Sequence, residues 1–185
     1  PALNEARRSR LAAVATRDPA RAAPFAEIAP GLTVHDSYEA LLADPGIDAV
    51  YIPLPNALHV DWSIRAAEAG KAVLCEKPIA LKSSDFNDLI AARARTGQVI
   101  AEAWMPAHHP QWHKARDLIA NGALGRLHTV TGAFTYGLED PANIRLSADL
   151  AGGALRDVGV YPIGAFRFAT GQEPSILWAD AIVEN

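Results

Sequence analysis

A doubly wound parallel α/β sheet followed by a smaller α+β unit is the architecture this sequence predicts, on three observations. Short apolar runs alternate with helical periodicities from Leu11 to Trp104. The turns between them are short and rich in Gly, Pro, Ser and Asn. After Met105 the strand pattern changes to strict apolar/polar alternation, the mark of a sheet with two unlike faces. The boundary therefore falls near Met105, with residues 1–104 in the first unit and 105–185 in the second.

The elements follow in order. Pro1–Arg10 reads as a helix tail, with Arg7, Arg8 and Arg10 at the end where cations suit the helix dipole. Leu11–Ala15 is an apolar strand run, and Pro19–Ile28 is helical with proline at its first position. Val34-His35 is a short strand, and Ser37 caps a helix reaching Ala43. Ala49–Leu54 is the next strand. Asn56 then caps a helix with Leu58, Trp62, Ala66 and Ala69 on one stripe, closed by Gly70. Val73-Leu74-Cys75 is a buried strand that stops at Glu76-Lys77-Pro78. Ser83 or Ser84 caps a helix carrying Phe86, Leu89, Ile90 and Ala94, closed by Gly97, and Val99–Trp104 is the last strand of this unit.

In the second unit His109–Asn121 is a helix ended by Gly122. Leu127–Tyr136 alternates, with His128, Val130, Phe134 and Tyr136 on one face and Thr129, Thr131 and Thr135 on the other. A loop leads to Gly152-Gly153, a helix covers Ala154–Thr170, and a strand begins over Ile176–Val183.

Composition narrows the function. The chain has 185 residues, 50% of them hydrophobic, and a net charge of -4 with no basic block, which argues against a nucleic-acid binder. One cysteine, Cys75, excludes an intrachain disulfide and a cysteine-rich metal site, and fits a reducing, cytoplasmic setting. No apolar run approaches membrane-spanning length. His109 and His113 lie one helical turn apart, but Pro110 stands where a zinc hydrolase would carry its glutamate, so no metal site is expected. No Gly-x-Ser-x-Gly elbow is present, and Cys75 reads as a small buried hydrophobe.

The chemistry concentrates at Lys77. Pro78 cannot donate to a sheet ladder, so the strand ends in a bend with the lysine at its tip. In open α/β sheets the carboxyl ends of strands form the ligand crevice. Lys77 is then either a substrate-facing ammonium or a solvated strand-end charge.

Tyr51-Ile-Pro-Leu-Pro-Asn56, His59, Glu76-Lys77-Pro78 and the run Gly152-Gly-Ala-Leu-Arg-Asp-Val-Gly-Val-Tyr161 together resemble the glucose–fructose oxidoreductase / inositol dehydrogenase / MocA family. Tyr161 looks like the branch that holds NADP-dependent D-xylose dehydrogenase and dimeric dihydrodiol dehydrogenase. The resemblance implies a Rossmann-type dinucleotide-binding unit joined to a substrate-binding and oligomerisation unit. It implies hydride transfer between a nicotinamide and a secondary hydroxyl or carbonyl of a sugar or cyclic diol. Lys77, Tyr161 and Asp157 would be catalytic, with Tyr161 as the general acid/base and the Lys77 ammonium favouring its phenolate. Pro53, Leu54, Asn56, His59, Glu76 and Lys77 would line the nicotinamide and ribose region. A homo-oligomer, dimer or tetramer, is implied as well.

Thr16 and Arg17 follow the strand where an acidic residue would select NAD, or an arginine would accept the 2′-phosphate of NADP. NADP is expected, with NAD as the alternative through Asp18. Asn143, Arg145 and His109 are weaker substrate candidates. No Gly-x-Gly-x-x-Gly run is present. In the resembled family it belongs to the first strand and turn, an interior strand whose loss splits the sheet. The chain therefore reads as a fragment lacking that strand and the C-terminal strands. The rival reading is a non-catalytic remnant or small-molecule binding protein of the same fold.

Overall fold

The computed structural model describes residues 5–175 and 178–181. The chain divides into two compact units, Pro1–Ala103 and Trp104–Asn185. The first contains five strands, β1 (Ala13–Ala15), β2 (Thr33–His35), β3 (Ala49–Ile52), β4 (Ala72–Cys75) and β5 (Ile100–Glu102). Its helices are α1 (Ala23–Ile28), α2 (Tyr38–Ala43), α3 (His59–Glu68) and α4 (Asp85–Thr96). Pro1–Asn4 of the expected helix tail lie outside the described residues, and past Glu5 the chain is turn and coil up to β1.

All strand pairs are parallel, as strands joined through helices require. They form two separate sheets, β1–β2 and β3–β4–β5. The three-stranded sheet is packed on one face. Val50, Ile52, Val73 and Cys75 meet Ala66 of α3 and Leu89 of α4, with Ile79 beyond the strand end. Removing a side chain of this size from water contributes roughly 1.5–3 kcal/mol. The apolar runs read as strands buried on both faces; instead Tyr51 and Leu74, on the other face, are half-exposed. Both covering helices lie on one side, so the side-chain period of two sorts each run into a buried and an open row.

Local capping explains several helix limits. Ser37 Oγ accepts the Ala40 N–H at 3.2 Å, and Gly97 ends α4 at φ 71°. Two expected caps are corrected. Ser84 is itself helical and makes no capping bond; the Asp85 carboxylate accepts the Leu81 and Lys82 N–H groups at 3.1 and 3.2 Å in its place. Asn56 is not an N-cap, because Pro55 holds that position and Asn56 opens a 3₁₀ turn, Asn56–Leu58, leading into α3.

Among the described residues the second unit contains α5 (Pro110–Ala120) and α6 (Val160–Thr170), joined by coil, a 3₁₀ turn over Ile144–Leu146 and a π-helical turn over Leu155–Gly159. The expected helix over 154–170 is thus real but widened at its start. Pro162 lacks the N–H that would return to the Val158 carbonyl, and the wide turn falls where that bond is missing. Phe168 centres the α5–α6 contact, edge-on to Trp104 and His113 with the Arg116 guanidinium 4.7 Å over its face.

The antiparallel strand expected over Leu127–Tyr136 is not formed, because no backbone ladder pairs it among the described residues. Its alternation is nonetheless used. Gly132, Phe134 and Tyr136, at period two, meet Phe166, Tyr161 and Asp157 respectively. Residues 176, 177 and 182–185 of the strand expected over Ile176–Val183 lie outside the described residues, and residues 178–181 are coil.

Candidate active site

The first set of site residues stands at the carboxyl ends of β3 and β4. The ladder continues one residue past β4 and β5: Glu76 N–H donates to the Ile52 carbonyl at 3.0 Å, and Ala103 N–H to the Cys75 carbonyl at 2.7 Å. The turn that follows is held from several sides. The Tyr51 hydroxyl donates to one Glu76 carboxylate oxygen, and the other accepts the Lys77 N–H at 3.2 Å. Glu102, at the end of β5, accepts the Ile79 N–H at 2.9 Å. The Lys77–Pro78 peptide bond is cis. Lys77 is half-buried at the tip of this turn.

Beneath the turn, β4 ends in Cys75, which is 0% exposed. Burial pushes its thiol up to about 12, which keeps it protonated and unreactive. His59 is also 0% exposed. Its Nδ1 lies 2.8 Å from the Pro78 carbonyl and its Nε2 2.7 Å from the Leu54 carbonyl. Both nitrogens are therefore spent on backbone, and His59 supports the region it was expected to line. Pro53 is exposed, while Leu54 and Asn56 are half-buried.

At the end of β1, Thr16 Oγ1 donates to the Asp18 carbonyl and accepts the Asp18 N–H at 3.0 and 3.2 Å. The Asp18 carboxylate caps the following 3₁₀ turn, Pro19–Ala22, by accepting the Ala20 N–H at 3.0 Å. Arg17, between them, is exposed. The cation of this turn faces outward, and the carboxylate is engaged by the chain itself.

The second set lies in the second unit. Asp157, in the π-helical turn, has a largely buried side chain whose Oδ1 is 3.1 Å from Arg145 Nε, while Oδ2 accepts from the Tyr136 hydroxyl. The hydrogen bond to Asp157 holds the Arg145 guanidinium above its usual range, and the same carboxylate raises the Tyr136 phenol. Tyr161, one turn along, packs against Phe134 at a tilt of 47°, with ring centroids 5.2 Å apart.

Arg145 is carried by the Asn143-capped 3₁₀ turn Ile144–Leu146. Its carbonyl accepts the Gly153 N–H at 2.8 Å. The two glycines are required here for different reasons. A Cβ on Gly152 would lie 2.4 Å from the Arg145 carbonyl oxygen, and Gly153 adopts φ 106°. His109 caps α5, its Nδ1 accepting the Gln111 N–H at 3.2 Å, and His113 Nε2 lies 2.8 Å from the Ala107 carbonyl. These are structural duties.

Sequence reasoning gave no site role to Tyr51, Glu102, Phe134 or Tyr136. Tyr136 carried a usable signal: it is the polar-tipped member of the alternating face that meets the helix of Asp157 and Tyr161.

A parallel sheet with helical crossovers and a charged turn at the strand ends defines the doubly wound α/β class. The chain belongs to the GFO/IDH/MocA oxidoreductase family with an NAD-binding Rossmann fold: that family's model matches residues 1–103, and the GFO/IDH/MocA C-terminal domain model matches residues 112–184. It is 47% identical over 179 residues to the uncharacterized oxidoreductase ORF334 of Rhizobium meliloti, covering 97% of this chain and 54% of that one. It is 44% identical over 161 residues to D-xylose 1-dehydrogenase (NADP(+)) 2 of Haloferax volcanii, covering 86% and 49%. Among solved structures, a 3-ketoreductase from Actinomadura kijaniata in complex with NADP and TDP-benzene superposes with a TM-score of 0.85 at 38% identity, covering 90% of this chain and 51% of that one. The chain thus spans about half the length of the curated relatives it matches.

Proposed function

We propose that this chain carries the catalytic residues of an NADP-dependent oxidoreductase acting on a secondary hydroxyl or carbonyl of a sugar or cyclic diol. The observation that carries the reading is the Glu76-Lys77-Pro78 turn, fixed from β3, β4 and β5 at the carboxyl edge of the sheet. The named relatives support both the substrate class and the cofactor. Arg17 supports NADP over NAD, since the neighbouring Asp18 carboxylate is already engaged as a helix cap.

When bound, the nicotinamide supplies or accepts the hydride. The chain's own residues manage the proton and the orientation. Tyr161 takes or gives the proton at its phenolic oxygen, and Lys77 presents an ammonium that steadies developing negative charge on the reacting oxygen. Asp157 is clamped by Arg145 and Tyr136, so it orients groups around Tyr161 and leaves the proton transfer to the tyrosine. Dimer or tetramer assembly is part of the proposal, from the family resemblance.

The test is NADPH and NADH titration by nicotinamide fluorescence, on this chain and on a version extended at both ends, followed by turnover with D-xylose and related sugars. NADPH preference with turnover supports the proposal. Binding of neither nucleotide by the extended chain favours the rival, a protein of this fold that has lost cofactor binding. Lys77→Ala is expected to lower turnover by about 100-fold while NADPH affinity changes little. Unchanged turnover would remove Lys77 from the mechanism.

A further inference from the structure

His59 has chemistry that the proposed reaction leaves unused. It opens α3, is 0% exposed, and sets Nδ1 2.8 Å from the Pro78 carbonyl and Nε2 2.7 Å from the Leu54 carbonyl. Carbonyl oxygens only accept. A neutral imidazole owns one N–H and one lone pair, so it could satisfy one carbonyl while aiming a lone pair at the other. Turning the ring over would replace both nitrogens by carbons and lose both bonds. An imidazolium, with two N–H groups on opposite sides, would donate to both neighbours, where a neutral ring would donate to one.

Charged side chains on the surrounding elements are Glu76 and Lys77 in the β4 turn, Glu102 at the end of β5, and Asp61, Arg65 and Glu68 on α3, where Arg65 pairs with Asp61 at 3.0 Å. Their balance is anionic, which suits a cation. The two carbonyls are informative as well. Leu54 belongs to the exit of β3 and Pro78 to the exit of β4, one residue past Lys77.

We infer that His59 is a positioning residue: as a buried imidazolium donating to Leu54 and Pro78 together, it braces the exits of β3 and β4 and so fixes where Lys77 stands. The brace lies beneath the turn and touches no reacting atom. Its functional consequence rests on the reading of Lys77 proposed above, but its chemistry can be tested without turnover.

The first measurement is nitrogen NMR of the ¹³C,¹⁵N-labelled unmodified chain near neutral pH, with the His59 ring assigned through its own backbone by triple-resonance spectra. Two protonated ring nitrogens with slowly exchanging N–H protons are expected, and one bare nitrogen would overturn the inference. The second measurement is kinetic, on a chain that turns over. His59→Asn is expected to lower kcat about 100-fold, as misplacement of a reacting group does, with little change in NADPH Kd. Full kcat in a folded His59→Asn protein would overturn the positioning role. If the unmodified protein transfers no hydride, that failure belongs to the proposed function, and the ring-nitrogen spectrum alone decides the brace. The same spectrum decides it if the variant does not fold.

Discussion

The Lys77 turn and the Asp157 cluster are built by opposite strategies. The turn inherits its position from a buried parallel ladder and is tied down mainly through backbone groups: Ile52 to Glu76, Cys75 to Ala103, and Pro78 and Leu54 to His59. Asp157 is held by side chains, Arg145 and Tyr136, both substantially exposed. Backbone anchoring on a packed sheet leaves few ways to relax. Side-chain anchoring near solvent is adjustable and depends on the loop that presents each partner.

The largest effect should come from attacking the side-chain strategy at the backbone of the loop that presents Arg145. In Gly152→Ala the new Cβ would meet the Arg145 carbonyl oxygen at 2.4 Å, its carbon at 2.7 Å and the Ile144 oxygen at 2.9 Å, all main-chain atoms. The loop must move, and Arg145 with it. A loss of about 3–5 kcal/mol in chemical denaturation is expected, the range for overpacking joined to a broken polar network. A cost near zero would show that the loop repacks freely.

An intermediate effect tests the ladder. Cys75 is fully buried, and its thiol is pushed up to about 12, so alkylation at neutral pH should track opening of β4. Slow labelling, accelerating only at denaturant concentrations that unfold the first unit, is expected. Fast labelling in native buffer would show that the sheet end breathes and would erase the contrast with the Asp157 cluster.

The smallest effect is expected from Tyr136→Phe, which keeps the ring and removes one exposed hydrogen bond. The phenol is raised by its bond to Asp157. A raised pKa in the folded state means that the contact's contribution is complete below the ordinary tyrosine range and is lost as pH rises through the raised value. Ultraviolet tyrosine titration should therefore show a late component that the variant lacks. An identical titration in the variant would show that Tyr136 does not bond to Asp157 in solution.

These contrasts bear on what could be read in advance. The β3, β4 and β5 runs, Ser37 and Gly97 were legible because each acts through local chemistry: an apolar period, an oxygen for a free N–H, a left-handed backbone. Ser84 misled because Asp85, one residue on, satisfies the preceding turn with two bonds. Leu127–Tyr136 misled more deeply. Its alternation truly marks two faces, but alternation cannot say whether a second strand stands beside it. Here the face carrying Phe134 and Tyr136 meets a helix.

The sequence by itself determined the order and type of most elements in the first unit, the Glu76-Lys77-Pro78 stop at the end of β4, and the spacing that sets Asp157 and Tyr161 about one turn apart. Periodicity, capping and proline chemistry act within a few residues of one another, so they are written in the chain directly. Only the tertiary structure decided that His59 turns both nitrogens to backbone, that Glu102 holds Ile79, and that Arg145 and Tyr136 share one carboxylate. The His59–Pro78, Ile79–Glu102 and Tyr136–Asp157 bonds join residues 19 to 23 apart, and Arg145 reaches Asp157 from a separate turn. A hydrogen bond is decided by tenths of an ångström between donor and acceptor, and across such separations only the folded chain sets that distance.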